Sequence, residues 1–131
     1  MNGLVVDQFG TKIWYKDGLY HREEGPAIEH KNGNKFWYKE GFLHREDGPA
    51  IEYYNGNKSW YKKGKLHREN GPAEEYANGD KCWWKEGKHH REDGPAVECN
   101  NGMKRWYYED EEIYCNSTEE FIKLIKLKVF W

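Results

Sequence analysis

The chain is predicted to be all-β: an elongated antiparallel sheet of tandem hairpins with a C-terminal capping α-helix. Three observations predict it. His-Arg-Glu-x-Gly-Pro-Ala occurs at 21–27, 44–50, 67–73 and 90–96, a spacing of 23 residues each time. Trp14, Trp37, Trp60, Trp83 and Trp106 keep the same phase, as do Gly18, Gly41, Gly64 and Gly87. Asn-Gly recurs at Asn32-Gly33, Asn55-Gly56, Asn78-Gly79 and Asn101-Gly102, each between β-prone segments. A fixed period of this length is the signature of a repeat protein.

Taken in order, Gly3, Leu4 and Gly10 fall in the columns of Pro26, Ala27 and Gly33, so residues 3–10 are the second half of a copy. Asn-Gly between such segments is a strong hairpin signal, because both residues tolerate the positive φ of a type I′ turn. With Asn32-Gly33 as the two central residues, Ile28 faces Trp37 and Ala27 faces Tyr38. Facing pairs share a face, which puts Ile28 with Trp37 on one side and Phe36 with Tyr38 on the other. A second turn at Glu40-Gly41 sets Leu43 against Tyr38 and His44 against Trp37, and brings Arg45 and Glu29 beside Phe36. Two strands per copy are expected, 34–39 and about 43–54, in a sheet of about ten strands. Gly48-Pro49 breaks the longer strand, because proline has no N–H for the ladder. The first half of that strand is expected to pair within its copy and the second half with the next copy.

The last copy keeps Trp106-Tyr107 but has Ile113, Tyr114, Cys115, Asn116 and Ser117 where His-Arg-Glu-x-Gly stands elsewhere. The motif vanishes where no copy follows, which assigns it to joining copies. Ser117 and Glu120 then stand at capping-box spacing ahead of Phe121, Leu124 and Ile125, predicting an amphipathic helix over about 118–127 that buries this stripe. The apolar tail 127–131 is expected to pack down as well. The whole is read as one domain, with repeats over 3–114 and helix and tail over 117–131.

Composition narrows the function classes. The 131 residues are 37% hydrophobic, 34% charged and 17% aromatic, so Tyr and Trp supply most of the area available for burial. A formal charge of -2 provides no global field for nucleic acid or anionic membrane. No apolar run is long enough to span a bilayer, and the N-terminus lacks the pattern of a signal peptide. The chain is read as cytoplasmic. Cys82, Cys99 and Cys115 fall in three different columns, which argues for free thiols rather than a disulfide framework or zinc site.

Four histidines in one column invite a metal reading, but two strands per copy separate them by roughly 9–10 Å. The expected role is packing on Trp37 and its equivalents, with bonds to backbone. His-Arg-Glu resembles acid–base machinery, yet catalysis needs one asymmetric constellation, and four equivalent copies mark a scaffold. No catalytic site, metal or cofactor is expected. The Arg and Glu side chains are expected to form a ladder of partly exposed pairs. Lys35-x-Trp37-Tyr38-Lys39 suits single-stranded nucleic acid, against which stand acids in every copy.

Trp-Tyr-x-x-Gly-x-x-His followed by a closing Asn-Gly on a 23-residue period resembles the MORN repeat, with Tyr61, Gly64, His67 and Asn78-Gly79 in its places. The likeness covers roughly 3–114 and departs after His67, where Arg68 to Ala73 replace the usual glycine. The variant is similar to repeats of bacteriophage and giant-virus proteins. What the resemblance implies is an elongated run of antiparallel hairpins that binds other proteins, sometimes lipid, without chemistry of its own.

The expected function is therefore non-enzymatic protein binding, as a viral inhibitor or adaptor acting on a host protein. Fixed columns are accounted for by folding, so recognition is expected where copies differ. One such column holds Ile13, Phe36, Ser59, Cys82 and Arg105, and another holds Leu19, Phe42, Lys65, Lys88 and Glu111. The partner-binding candidates are Phe36, Phe42, Tyr53 and Tyr54, with Arg105 as a charged anchor. The rival expectation is capture of a small ligand or nucleotide between the fixed aromatic columns, in a homodimer.

Overall fold

The computed structural model describes residues 2–128. A twelve-stranded antiparallel sheet runs through all copies, and three further two-stranded hairpins flank it. The expectation of about ten strands is thus exceeded. Each copy contributes two short strands to the sheet, as at Lys35–Phe36 and Ile51–Glu52, and one lateral hairpin, as at Tyr38–Lys39 with Phe42–Leu43. The long second strand is replaced by these two pieces, separated by the bend that carries Gly48-Pro49. Ile51–Glu52 pairs both backward with Lys35–Phe36 and forward with Lys58–Ser59, so the inner piece bonds in both directions.

The Asn-Gly loops correct the sequence reading. Ile28 pairs with Phe36, not Trp37, and Glu29 with Lys35. The loop between His30 and Asn34 has three residues: the Gly33 N–H donates to His30 C=O at 2.9 Å, and the His30 N–H donates to Asn34 C=O at 2.9 Å. Gly33 alone takes positive φ, +102°, as the bulge residue after a type I turn. Asn32 acts through its side chain, whose Oδ1 accepts the Asn34 N–H at 2.9 Å. The same bond recurs at Asn55, Asn78 and Asn101. The type I′ turn lies instead at the second hairpin, where Glu40 and Gly41 have φ of 49° and 83°. There the expected pairing of Tyr38 with Leu43 holds, and the His44 N–H donates to Trp37 C=O.

The one-residue change of register moves every Trp to the other face. Ile28, Phe36, Ile51, Tyr38 and Leu43 share one side, hereafter the aromatic face. The opposite, charged face carries the Trp column and one unbroken cross-strand row: Lys12, Glu29, Lys35, Glu52, Lys58, Glu75, Lys81, Glu98 and Lys104. Opposite charges face one another at every step, which favours this register over a slip by one residue.

His-Arg-Glu-x-Gly-Pro-Ala is a joint built on the charged face. Each Arg lays its guanidinium on the Trp of its own copy, with Cζ 3.8–3.9 Å from the ring centroid. In the second copy Arg45 also donates to Pro49 C=O at 3.0 Å and pairs with Glu52 at 3.7 Å. The predicted ladder therefore exists with other members: Arg45 meets Glu52 rather than Glu29, on the face away from Phe36, and the motif's own Glu46 accepts from His44. The Gly48 backbone lies against this guanidinium, and a Cβ there would stand 2.9 Å from Arg45 Cζ. Ala27, Ala50, Ala73 and Ala96 are fully buried where adjacent strands close on the joint.

At the C-terminal end the helix replaces the joint. It spans Thr118–Lys128. The Ser117 Oγ accepts the Glu120 N–H at 3.1 Å, and the Glu120 carboxylate accepts the Asn116 N–H at 3.1 Å. Phe121 is fully buried against Trp106 and Ile113, with Leu124 and Ile125 beside it. Trp106 Nε1–H donates to Thr118 Oγ1 at 3.2 Å. The helix thus covers Trp106, the member of the 23-residue Trp column on which no Arg lies. Leu127 is exposed rather than packed down, and 129–131 of the predicted tail lie outside the described residues.

Candidate interaction surface

Among the described residues, no second layer lies over the aromatic face. Three rows cross it. The central row reads Val5, Ile13, Ile28, Phe36, Ile51, Ser59, Glu74, Cys82, Val97 and Arg105 through successive cross-strand pairs. A row on the lateral hairpins pairs Tyr15 with Tyr20, Tyr38 with Leu43, Tyr61 with Leu66 and Trp84 with His89. The third row, toward the Asn-Gly loops, carries His30, Tyr53 and Tyr76.

Ring contacts tie the rows together. Phe36 meets Tyr53 edge-on at 6.1 Å and His30 at 5.4 Å, and Tyr20 meets Tyr38 at 5.1 Å. Most of these side chains are half-buried by their neighbours, yet Tyr20, Tyr53 and Tyr76 keep 37–39% of their surface exposed. Burial raises the Tyr38 phenol, and the Tyr20 phenol adds to it. Burial likewise raises Tyr61, with Glu74 as the second cause. Tyr76 is pushed up to about 12 by burial and then by Glu74, which accepts its hydroxyl at 3.0 Å. Trp84 Nε1–H donates to the same carboxylate at 2.7 Å. Apart from Asp7, in the column of His30, the three rows carry no carboxylate before Glu74, which is held by two aromatic donors.

The five predicted residues do not form one cluster. Phe36 and Tyr53 lie together on the aromatic face, and Arg105 ends the same central row, half-exposed, with its charge favoured by the Tyr107 hydroxyl and then Glu112. Phe42 belongs to the opposite side of the lateral hairpin and is 59% exposed, its ring lying over the Gly64 turn. Tyr54 stands at the other rim, 72% exposed, with its Cβ against Gly33 and its N–H donating to Asn34 Oδ1. Sequence reasoning placed Tyr38 on the face of Phe36 but named neither it nor Tyr20 and Tyr76 as candidates, and it set Ile28 on the opposite face. Strand parity read from the hairpin register was the signal, and the loops shifted that register by one.

Elsewhere, the Cys82 thiol is pushed up to about 11, chiefly by burial, and all three cysteines are free. No helix of the described residues is long and apolar enough to cross a membrane. No protein-family model matches the chain, and no curated protein matches it.

Proposed function

We propose that the chain is a non-enzymatic protein-binding module that recognises its partner through the aromatic face, centred on Phe36 and Tyr53. The observation that carries this reading is a broad, Tyr-rich surface on a single-layer sheet, over which no described residue forms a covering layer. Tyr and Trp are the residues that dominate protein interfaces, because they combine large apolar area with a polar tip and few rotatable bonds. Phe42 and Tyr54 extend the contact onto the two rims, and Arg105 offers a charged anchor at the far end. The likeness of the repeats to those of bacteriophage and giant-virus proteins supports a host protein as the partner, with inhibition or adaptation as the outcome. Against capture of a small ligand between fixed Trp columns stand the four guanidiniums that already lie on those rings.

A pull-down from host lysate, followed by native mass spectrometry, tests the reading. A stoichiometric protein partner that is lost with Phe36→Ala/Tyr53→Ala and kept with Lys35→Ala on the charged face is expected. A partner lost only with the charged-face variant overturns the assignment of the surface. A retained small molecule without any protein partner overturns the function.

A further inference from the structure

We propose that His21, His44, His67 and His90 are four acid-releasable latches that hold successive copies in register. Each type I′ turn after the first presents two N–H groups that its own hairpin leaves unpaired, and the preceding copy accepts both. In the second copy, Gly41 N–H donates to Tyr20 C=O at 2.9 Å and Glu40 N–H donates to His21 Nδ1 at 2.9 Å. Lys63, Glu86 and Glu109 donate in the same way to His44, His67 and His90 Nδ1, at 2.9–3.0 Å.

A backbone N–H has no alternative to donating, so each Nδ1 must present its lone pair, and the ring carries its single proton on Nε2. In three copies that Nε2–H donates to the motif carboxylate, at 2.7 Å for Glu23, 2.6 Å for Glu46 and 2.7 Å for Glu69, and in the fourth His90 Nε2 stands 3.5 Å from Glu92. A second proton can enter only at Nδ1, where it meets the N–H it must displace. The compensating ion pair is weak, because the glutamates are 66–73% exposed and screened by water. Besides these carboxylates, Lys16, Lys39, Glu40 and Lys63 border the rings of His21 and His44. Lys62 and Lys85 flank Glu46 and Glu69, Lys85, Arg91 and Asp93 lie around His90, and Glu86 and Glu109 carry the donor N–H groups themselves. None of these groups replaces Nδ1 as an acceptor.

The first turn supplies a control within the same molecule. No histidine precedes it among the described residues, and the Asp17 N–H donates instead to Asn2 Oδ1 at 2.8 Å, an acceptor that does not titrate. Amide hydrogen exchange of the intact chain, read residue by residue by NMR, decides the matter. Between about pH 7.5 and about pH 5.5, protection of the Glu40, Lys63, Glu86 and Glu109 amides relative to Asp17 is expected to fall by about tenfold as Nδ1 ceases to accept. A constant ratio overturns the proposal. His44→Asn, which copies the Asn2 acceptor in one copy only, should make the Lys63 amide insensitive to pH while the other three still respond. If Lys63 in that variant follows pH as before, a group other than the imidazole titrates and the proposal fails.

Discussion

At Gly48 the joint glycine acts through a contact rather than through backbone conformation, whereas its counterparts Gly25 and Gly71 have φ of +147° and +159°. Gly48 has no left-handed φ, so the reason for glycine there is the guanidinium of Arg45, 2.9 Å from where a Cβ would stand. Gly48→Ala is expected to destabilise by about 1–3 kcal/mol, the usual range for overpacking. The loss should shrink in an Arg45→Ala background, because the two residues couple through one contact. Urea unfolding of the four members of that cycle measures it, and additive losses would reject the contact as the cause. Carboxylates at the joint make a separate prediction. The hydrogen bond from each histidine holds Glu23, Glu46 and Glu69 below the usual carboxylate range, and Arg45 does the same for Asp47. A depressed folded-state pKa contributes stability above the unfolded value, about 4.5 or below, that is lost as pH falls through the folded one. The melting temperature should therefore drop below about pH 4.5, less steeply in Glu46→Gln with Asp47→Asn.

At the scale of elements, the turns show what the sequence could and could not convey. The period, the Glu40-Gly41 turn, the break at Gly48-Pro49 and the helix start were legible, because each rests on a local signal: a missing N–H, a turn glycine, a capping box. The Asn-Gly register was not legible, because a two-residue type I′ turn and a three-residue turn with a bulge glycine carry the same dipeptide. What separates them is whether Asn donates its φ or its side chain, and only the Oδ1 bond from Asn32 to Asn34 reveals that. From this one-residue error followed the wrong face for Trp37 and the scattering of the candidate residues over a face and two rims. Asn55→Asp keeps the acceptor; in the first loop, where Phe9 stands in the asparagine column, Asp7 supplies it instead, its Oδ1 accepting from Phe9 and Thr11. Asn55→Asp should be nearly neutral, whereas Asn55→Ala should cost about 1 kcal/mol; equal thermal melts for both variants would refute the side-chain role. Likewise Phe121→Ala should cost about 3–5 kcal/mol and expose Trp106, which a calorimetric melt and iodide quenching would register together.

The whole molecule is a ribbon, one layer thick for most of its length. Its accessible surface is 8529 Å², against about 7,300 Å² expected for a compact monomer of this mass, so its shape costs it burial that adjacent copies must recover. X-ray scattering should give a radius of gyration above about 14 Å, the value for a compact chain of this length. Because each copy contacts mainly its neighbours, stability should be nearly a sum over copies. Excision of residues 34–56 should leave a chain that folds with the same sheet and melts lower, and loss of cooperative unfolding in that variant would contradict the scheme.

The joint between copies also sets a scale of length. Four successive copies repeat the same Arg-on-Trp stack and the same histidine capture of a turn N–H, and each advances the sheet by two strands, about 9–10 Å. The rim positions of Leu19, Phe42, Lys65 and Lys88 are therefore graduations on a ruler, at a pitch determined by backbone hydrogen bonds and independent of what stands at each mark. Groups grafted onto those four positions would be held at known multiples of one interval, and copies inserted at the joint would lengthen the ruler without recalibrating it.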